Sequence, residues 1–419
     1  MLTLLQLAAK SAWNRRLTLV MTALSIALSI TLLLGVERLR QDARSGFEQS
    51  ISGTDLIVGA RTSPVQLMLY AVFRLGGATN NIGWKSFTAL REQPSVAWAV
   101  PLSLGDSHRG YPVLATDASY FEHFQYGDHR ALRLMAGEKI AGVFDVVIGA
   151  EVAEALHYQL GDRVVLTHGM SQAGPAHDDK PFTVTGILAR TGTPVDRTLH
   201  ITLAGMEAIH LEWVAGAPMP GLNIPAEHVR KFDLQPKQIT AVLVGLKNRA
   251  AVFRLQRFIS EFREEPLLAV LPGVALSDLW QVVGVVEQSL LAVSAMVVAV
   301  GLSGLMATLL AGLNERRREL AILRAVGARP VHIFCLLLLE GIGISLLGMF
   351  AGVLLLFLLT AVVSPIAEAR WGLHLSIHFI SLPELRWLGL VFSVSVVASL
   401  VPGWRAYRLS LADGLIPRI

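Results

Sequence analysis

Residues 289–328 read SLLAVSAMVVAVGLSGLMATLLAGLNERRRELAILRAVGA. The first 25 of them carry no Asp, Glu, Lys or Arg, and then Glu315-Arg316-Arg317-Arg318-Glu319 follows directly after Asn314. A helix rises about 1.5 Å per residue, so about 20 apolar residues cross the ~30 Å hydrocarbon core of a bilayer. The stretch therefore predicts a membrane helix that ends in a short, basic segment at one membrane face. Three other stretches have the same character. Residues 17–36 hold no charge over 20 positions, residues 331–362 hold only Glu340 over 32, and residues 387–403 hold none over 17.

These four spans account for the composition of the whole chain. The protein has 419 residues, of which 53% are hydrophobic and 16% charged, with a mean hydropathy of +0.52. Outside the spans the charged fraction is about 21%, close to the ~25% of soluble proteins. The chain thus divides between two solvents. Disorder is excluded, because disordered segments are poor in apolar residues. The single cysteine, Cys335, excludes a disulfide framework and any cysteine-cluster metal site. The first span is longer than the ~7–15 residues of a signal-peptide core. It runs into Glu37-Arg38-Leu39-Arg40 without a small-residue cleavage site, so it reads as an uncleaved anchor.

Four spans place both termini on one side. Residues 1–16, 314–330 and 404–419 carry eleven Lys/Arg and three acids, a net charge of +8. Residues 37–288 and 363–386 carry 25 basic and 28 acidic residues, a net charge of −3. Short loops rich in Lys and Arg stay in the cytoplasm. Both termini are therefore predicted to be cytoplasmic, and residues 37–288 extracytoplasmic. The basic residues lie in short loops flanking the membrane, which excludes nucleic acid as a partner and makes membrane lipids their neighbours.

The segment 37–288 mixes strand and helix patterns. Residues 143–148, 163–167, 182–189, 199–203 and 239–246 read as strands. Residues 149–158 and 251–262 read as helices. Two strand-rich subdomains are expected. Residues 66–75 are unusually apolar for a soluble segment and read either as a lipid- or substrate-facing element or as a buried core helix. Residues 38–50 and 275–287 read as stalk helices prolonging the first and second spans. The predicted fold class is a membrane protein of four transmembrane α-helices, with a large mixed α+β extracytoplasmic domain between helices 1 and 2.

The segment after the second span holds the candidate functional residues Glu315, Arg316, Arg317, Arg318, Glu319, Leu320, Ala321, Ile322, Leu323, Arg324, Ala325, Gly327 and Ala328. As a helix, Leu320, Leu323 and Arg324 share a face, and Gly327 suits a C-cap. Topology alone accounts for the arginines. It does not account for Leu-Ala-Ile-Leu in a loop of 17 residues, where apolar side chains suggest a docking surface for a soluble partner.

This segment resembles the signature loop of the MacB/FtsX-like ABC transporter permeases, the type VII ABC fold. Further stretches are similar to the same family: Ala9 to Arg16 to its N-terminal amphipathic helix, and Ser52-Gly53-Thr54-Asp55-Leu56-Ile57-Val58-Gly59 to the start of its extracytoplasmic domain. Val147-Ile148-Gly149 through Leu160-Gly161-Asp162, and Phe182 to Leu188, resemble later parts of that domain. Pro402-Gly403-Trp404-Arg405-Ala406-Tyr407-Arg408-Leu409, followed by Ala412 to Leu415, resembles the terminal motif. The resemblance implies a bacterial inner-membrane permease, paired with a second permease copy. An ABC ATPase subunit would dock on residues 315–328, and motion would pass through the stalks to the outer domain (mechanotransmission).

A P-loop needs Gly-Lys to hold phosphates, and no Gly-Lys dipeptide occurs in the sequence, with only 16 residues before the first span. No cofactor is expected on this chain, and no enzymatic activity of its own. ATP and Mg would sit on the partner ATPase. Lipoproteins, lipids, peptides or small molecules are the cargo classes the resemblance allows. The alternative it allows is an FtsX-like regulator that activates an extracytoplasmic cell-wall hydrolase, a partner protein, without moving cargo. A membrane-anchored enzyme would need a convergent polar site, and none is legible.

Two ionisable groups adjoin the membrane. Glu340 lies inside the third span, where a carboxyl group is costly and defaults to a functional reading; coupling is favoured over proton transport because it stands alone there. Glu287 sits at the outer edge of the second span. Gly341, Gly343 and Gly348 suit close helix packing. In the polar loop 168–180, His168, His177, Asp178 and Asp179 are candidate ligands of a transition metal. Polar loops often have this composition, and no metal is expected.

Overall fold

The structure is a computed structural model. It describes residues 16–77, 80–169, 174–214, 217–219, 224–315, 317–325, 327–371 and 379–408. The chain separates into two compact units, one formed by residues 1–43 with 284–419 and the other by residues 44–283.

In the first unit four helices are long and apolar enough to cross a membrane. They belong to the helices Arg16–Gln49, Pro272–Glu315, Pro330–Trp371 and Leu382–Arg408. All four run beyond the charge-free windows of the sequence. Within the loop expected over 363–386, residues 363–371 and 382–386 are helical. The third helix passes through Pro365, which removes one backbone donor without ending it. The fourth begins at Leu382 because Ser381-Leu382-Pro383-Glu384 is a capping box. The Glu384 carboxylate accepts from Ser381 N at 2.6 Å, and Ser381 Oγ accepts from Glu384 N at 3.4 Å.

The helices share an apolar core of Ile26, Ile30, Leu33 and Leu34 with Leu302, Leu305, Leu309, Ile344, Leu356, Leu388 and Val391. Lipid offers no hydrophobic gain for helix association, so small residues and polar contacts set the packing. Both are present. A Cβ on Gly348 would lie 2.8 Å from Ile26 Cβ and 2.9 Å from the Ala23 carbonyl oxygen, so only glycine lets the first and third helices meet there. Gly341 likewise faces Ser399 Cβ at 2.8 Å, whereas Gly343 faces open space. The Thr31 hydroxyl reaches the Gly352 carbonyl at 3.0 Å, and the Ser29 hydroxyl reaches the Val297 carbonyl at 3.2 Å.

The second unit is built on one 11-stranded sheet. Its strands are β1 (Leu56–Ala60), β2 (Val96–His108), β3 (Tyr111–Thr116), β4 (Leu134–Gly137), β5 (Asp145–Ile148), β6 (Arg163–Val164), β7 (Thr167–His168), β8 (Phe182–Leu188), β9 (Leu199–Thr202), β10 (Ala241–Leu246) and β11 (Leu267–Val270). The order is β11-β1-β10-β2-β3-β9-β5-β8-β4, with β7 on β2 and β6 on β8. The pairs β3–β9 and β5–β8 are parallel. The expected two strand-rich subdomains are one sheet because β2 is 13 residues long. Its first half pairs with β10 and its second half with β3.

Side chains alternate across the sheet with period two. Leu56 and Val58 face one core, together with Phe87, Leu90, Val152, Met206, Ile209, Leu255 and Ile259 from the covering helices. Ile57 faces the other, with Leu67, Met68, Tyr70, Tyr120 and Phe121. The apolar stretch 66–75 is thereby settled: helix Pro64–Ala71 buries Leu67, Met68, Tyr70 and Ala71 in the core.

Candidate functional site

Helix Arg317–Ala325 follows the second membrane helix. Arg316 lies outside the described residues, and the side chains of Glu315, Arg317, Arg318 and Glu319 are not described. Leu320 is buried against Leu313, Ile333, Leu337 and Ala406, with Leu323 partly packed on the same cluster, and Ala321 is also buried. The apolar face carrying Leu320 and Leu323 is therefore turned to the membrane helices, not to a soluble partner as the sequence reading expects. The reason is local: the ends of the second, third and fourth helices supply an apolar seat. The outward side carries Ile322, 53% exposed, and the exposed Ala325.

Gly327 closes the helix at φ +105. Gly327 N donates to Arg324 O at 3.0 Å and Ala328 N to Leu323 O at 3.0 Å, a Schellman cap. A side chain at Gly327 would strain this conformation.

In the membrane helices Glu340 is half-buried and engaged with neighbouring groups. Glu287 is not simply an interfacial carboxylate. It lies 4.0 Å from Arg40 Nη1, and Arg40 also donates through Nη2 to Glu37 Oε1 at 2.7 Å. One residue away in sequence, Arg38 Nε donates to Glu384 Oε1 at 2.9 Å, a buried pair joining the first and fourth helices. The sequence reading missed this pair. The Ser-x-x-Glu signature at 381–384 was the available signal for Glu384.

A third constellation lies in the α/β unit. Register places His168 of β7 opposite Asp106 of β2. His168 Nδ1 is 3.2 Å from Asp106 Oδ1, His210 Nε2 is 3.5 Å from Oδ2, and His177 Nε2 is 3.8 Å from Oδ2. His168 Nδ1 and His210 Nε2 are 3.0 Å apart. His210 ends helix Leu203–His210, and the Trp213 ring centroid lies 4.8, 4.5 and 5.6 Å from those of His168, His177 and His210. Burial pushes the Asp106 carboxyl up to about 6, and the His168 ring draws it partly back. Burial, helped by the neighbouring His210 and His168 rings, lowers His177 to about 3. Burial also lowers His210. Neutral imidazoles of this kind are competent metal ligands.

Of the sequence candidates, His168 and His177 thus come together. Asp178 and Asp179 do not join them. Asp178 is exposed, and Asp179 pairs with the buried Lys180, which Glu212 also holds at 2.7 Å. Asp106 and His210 were not legible as partners. They lie 62 residues before and 42 residues after His168. No local spacing links them.

Two family models match the chain: a MacB-like periplasmic core domain over residues 19–252 and an FtsX-like permease C-terminal domain over residues 291–411. With four membrane helices and a periplasmic-type α/β domain between the first two, the protein is of the ABC transporter permease class. It belongs to the MacB/FtsX-like permease family. Among similar proteins is the lipoprotein-releasing system transmembrane protein LolC of Neisseria meningitidis serogroup B, 25% identical over 311 residues, 70% of this chain and 69% of the relative. LolC of Xylella fastidiosa (strain Temecula1) is 24% identical over 426 residues, 94% of this chain and 92% of the relative. The solved periplasmic region of MacB from Actinobacillus actinomycetemcomitans aligns at a TM-score of 0.33 and 11% identity, covering 55% of this chain and 94% of that one.

Proposed function

We propose that this chain is the membrane subunit of an ABC machine in which a separate ATPase docks on helix Arg317–Ala325 and its ATP cycle moves the α/β domain. The observation that carries the reading is the two-sided packing of that helix. Leu320 is seated in a cluster drawn from the ends of three membrane helices, while Ile322 stays exposed. Force applied to the exposed side passes directly into the helices, because a packed apolar contact transmits displacement. The continuous helix Pro272–Glu315 extends the second membrane span into residues 272–282 of the α/β unit. The helix Arg16–Gln49 does the same for the first.

In this reading both termini are cytoplasmic, as the +8 against −3 charge asymmetry favours. The α/β domain faces the periplasm, ATP and Mg are bound by the ATPase, and two permease copies act together. The LolC relatives make release of lipoproteins from the membrane the favoured cargo class. Affinity purification of the full chain from membranes, followed by mass spectrometry, tests the proposal. An ABC ATPase should co-purify at a fixed ratio and be lost on Ile322→Asp. Absence of any ATPase from the preparation contradicts it.

A further inference from the structure

Three segments of the α/β unit bring three imidazoles and one carboxylate to a common point. We infer that Asp106, His168, His177 and His210 form a four-ligand site for a divalent transition metal, zinc by its chemistry. The ligand atoms are an Asp106 carboxylate oxygen, His168 Nδ1, His177 Nε2 and His210 Nε2.

Distance is the first argument. Zinc bonds of about 2.0–2.1 Å in a tetrahedron place ligand atoms roughly 3.3 Å apart. Here His168 Nδ1 and His210 Nε2 are 3.0 Å apart, His168 Nδ1 lies 3.2 Å from Asp106 Oδ1, and His210 and His177 Nε2 lie 3.5 and 3.8 Å from Asp106 Oδ2; with one atom taken from each residue, the four lie within 4.8 Å of one another.

The second argument is hydrogen bonding. Both Asp106 oxygens and His177 Nε2 are buried with no hydrogen bond of good geometry among the described residues. A buried polar atom left unsatisfied is destabilising, because it has given up water for nothing. One cation would accept a lone pair from an Asp106 oxygen and from His177 Nε2 together.

Orientation is the third. His210 Nδ1 donates to the Met206 carbonyl at 2.9 Å, so its Nε2 lone pair points at the site. Metal-binding histidines are held in this way by a backbone carbonyl on the second ring nitrogen. His177 N donates to Leu166 O at 2.9 Å, and His168 N to Pro175 O at 2.9 Å. Backbone pairing therefore places both rings before any ligand arrives. Trp213 covers the three imidazoles with an apolar ring.

Donor type selects the ion. Three nitrogens and one oxygen suit zinc and its divalent neighbours, and they offer too few oxygens for calcium or magnesium. Four protein ligands fill a tetrahedron, which is the pattern of a structural site with no open position for chemistry. A bound ion would tie β2, β7, His177 and helix Leu203–His210 together.

The test uses the full chain in detergent, stripped with a chelator and dialysed against Zn2+. Elemental analysis should find one zinc per chain. His177→Ala and His210→Ala should each weaken binding at least about 100-fold, and Asp178→Asn and Asp179→Asn should leave it unchanged. Zinc uptake that stays substoichiometric, or that survives both histidine variants, overturns the site. Should a histidine variant fail to fold, Co2+ loaded into the unmutated chain decides. Intense tetrahedral visible bands support the site, and a weak octahedral spectrum overturns it. None of these readouts depends on an ATPase or on cargo.

Discussion

Arg38 and Glu384 are 346 residues apart in sequence, and Arg38 Nε donates to Glu384 Oε1 at 2.9 Å with both side chains sealed from solvent. The pair locks the first membrane helix to the start of the fourth. Glu384 also caps its own helix through Ser381 N, and the Arg38 guanidinium lies 5.3 Å from the centre of the Phe357 ring on the third helix. Removing one partner of a buried pair leaves an uncompensated charge, at a cost of about 3–5 kcal/mol. Glu384→Ala should therefore lower the thermal stability of the detergent-solubilised chain sharply. The exchange Arg38→Glu with Glu384→Arg should recover part of the loss. A Glu384→Ala variant as stable as the parent would show that the pair holds nothing together.

Gly348 marks a second helix contact. Its backbone approaches the Ala23 carbonyl too closely for any side chain, and a backbone oxygen cannot move aside as a rotamer can. Gly348→Leu should disrupt packing of the first and third helices and reduce the folded yield recovered from membranes. Gly343→Leu, at a position facing open space, should be tolerated. Equal behaviour of the two variants would argue against close packing at Gly348.

His200 gives the α/β unit a specific acid sensitivity. Its ring is fully buried beside the Tyr120 and Phe121 rings. Burial, with the Arg74 charge nearby, lowers it from 6.5 to about 3. The unfolded chain therefore binds a proton that the folded chain refuses between these values. The stabilising effect is complete above the unfolded value and is lost as pH falls from about 6.5 towards 3. The loss is on the order of 3 kcal/mol by about pH 4.5. Thermal unfolding at about pH 7 and pH 4.5 should show a larger drop for the parent than for His200→Gln. Identical pH dependence in the two would contradict this assignment.

Much of the membrane architecture was legible because charge is excluded from hydrocarbon, and the four gaps in charge could be counted directly. The start of the fourth helix carried a signal in the Ser381-x-x-Glu384 capping box, whereas the buried pair with Arg38 carried none, because Arg38 arrives from a distant segment. In the α/β unit the apolar runs of β5, β8 and β10 read as strands. β2 did not, since Pro101, Gly105 and Asp106 interrupt any alternation and proline argues against a central strand. Asp106 is also one of the two members of the histidine cluster that the sequence did not show, so one illegible strand concealed both the unity of the sheet and the carboxylate of the site. The same limit explains Leu320. Spacing shows which residues share a helix face but not whether that face meets a partner or the chain's own membrane helices.

Site-specific photo-crosslinking from helix Arg317–Ala325 in intact membranes tests the central claim most directly. A photoreactive residue at Ile322, on the exposed side, should trap an ABC ATPase. The same residue at Leu320, seated among Leu313, Ile333, Leu337 and Ala406, should trap only this chain. An ATPase adduct at Ile322 alone is the result the account predicts. No adduct at Ile322, or an adduct equally strong from Leu320, would contradict it.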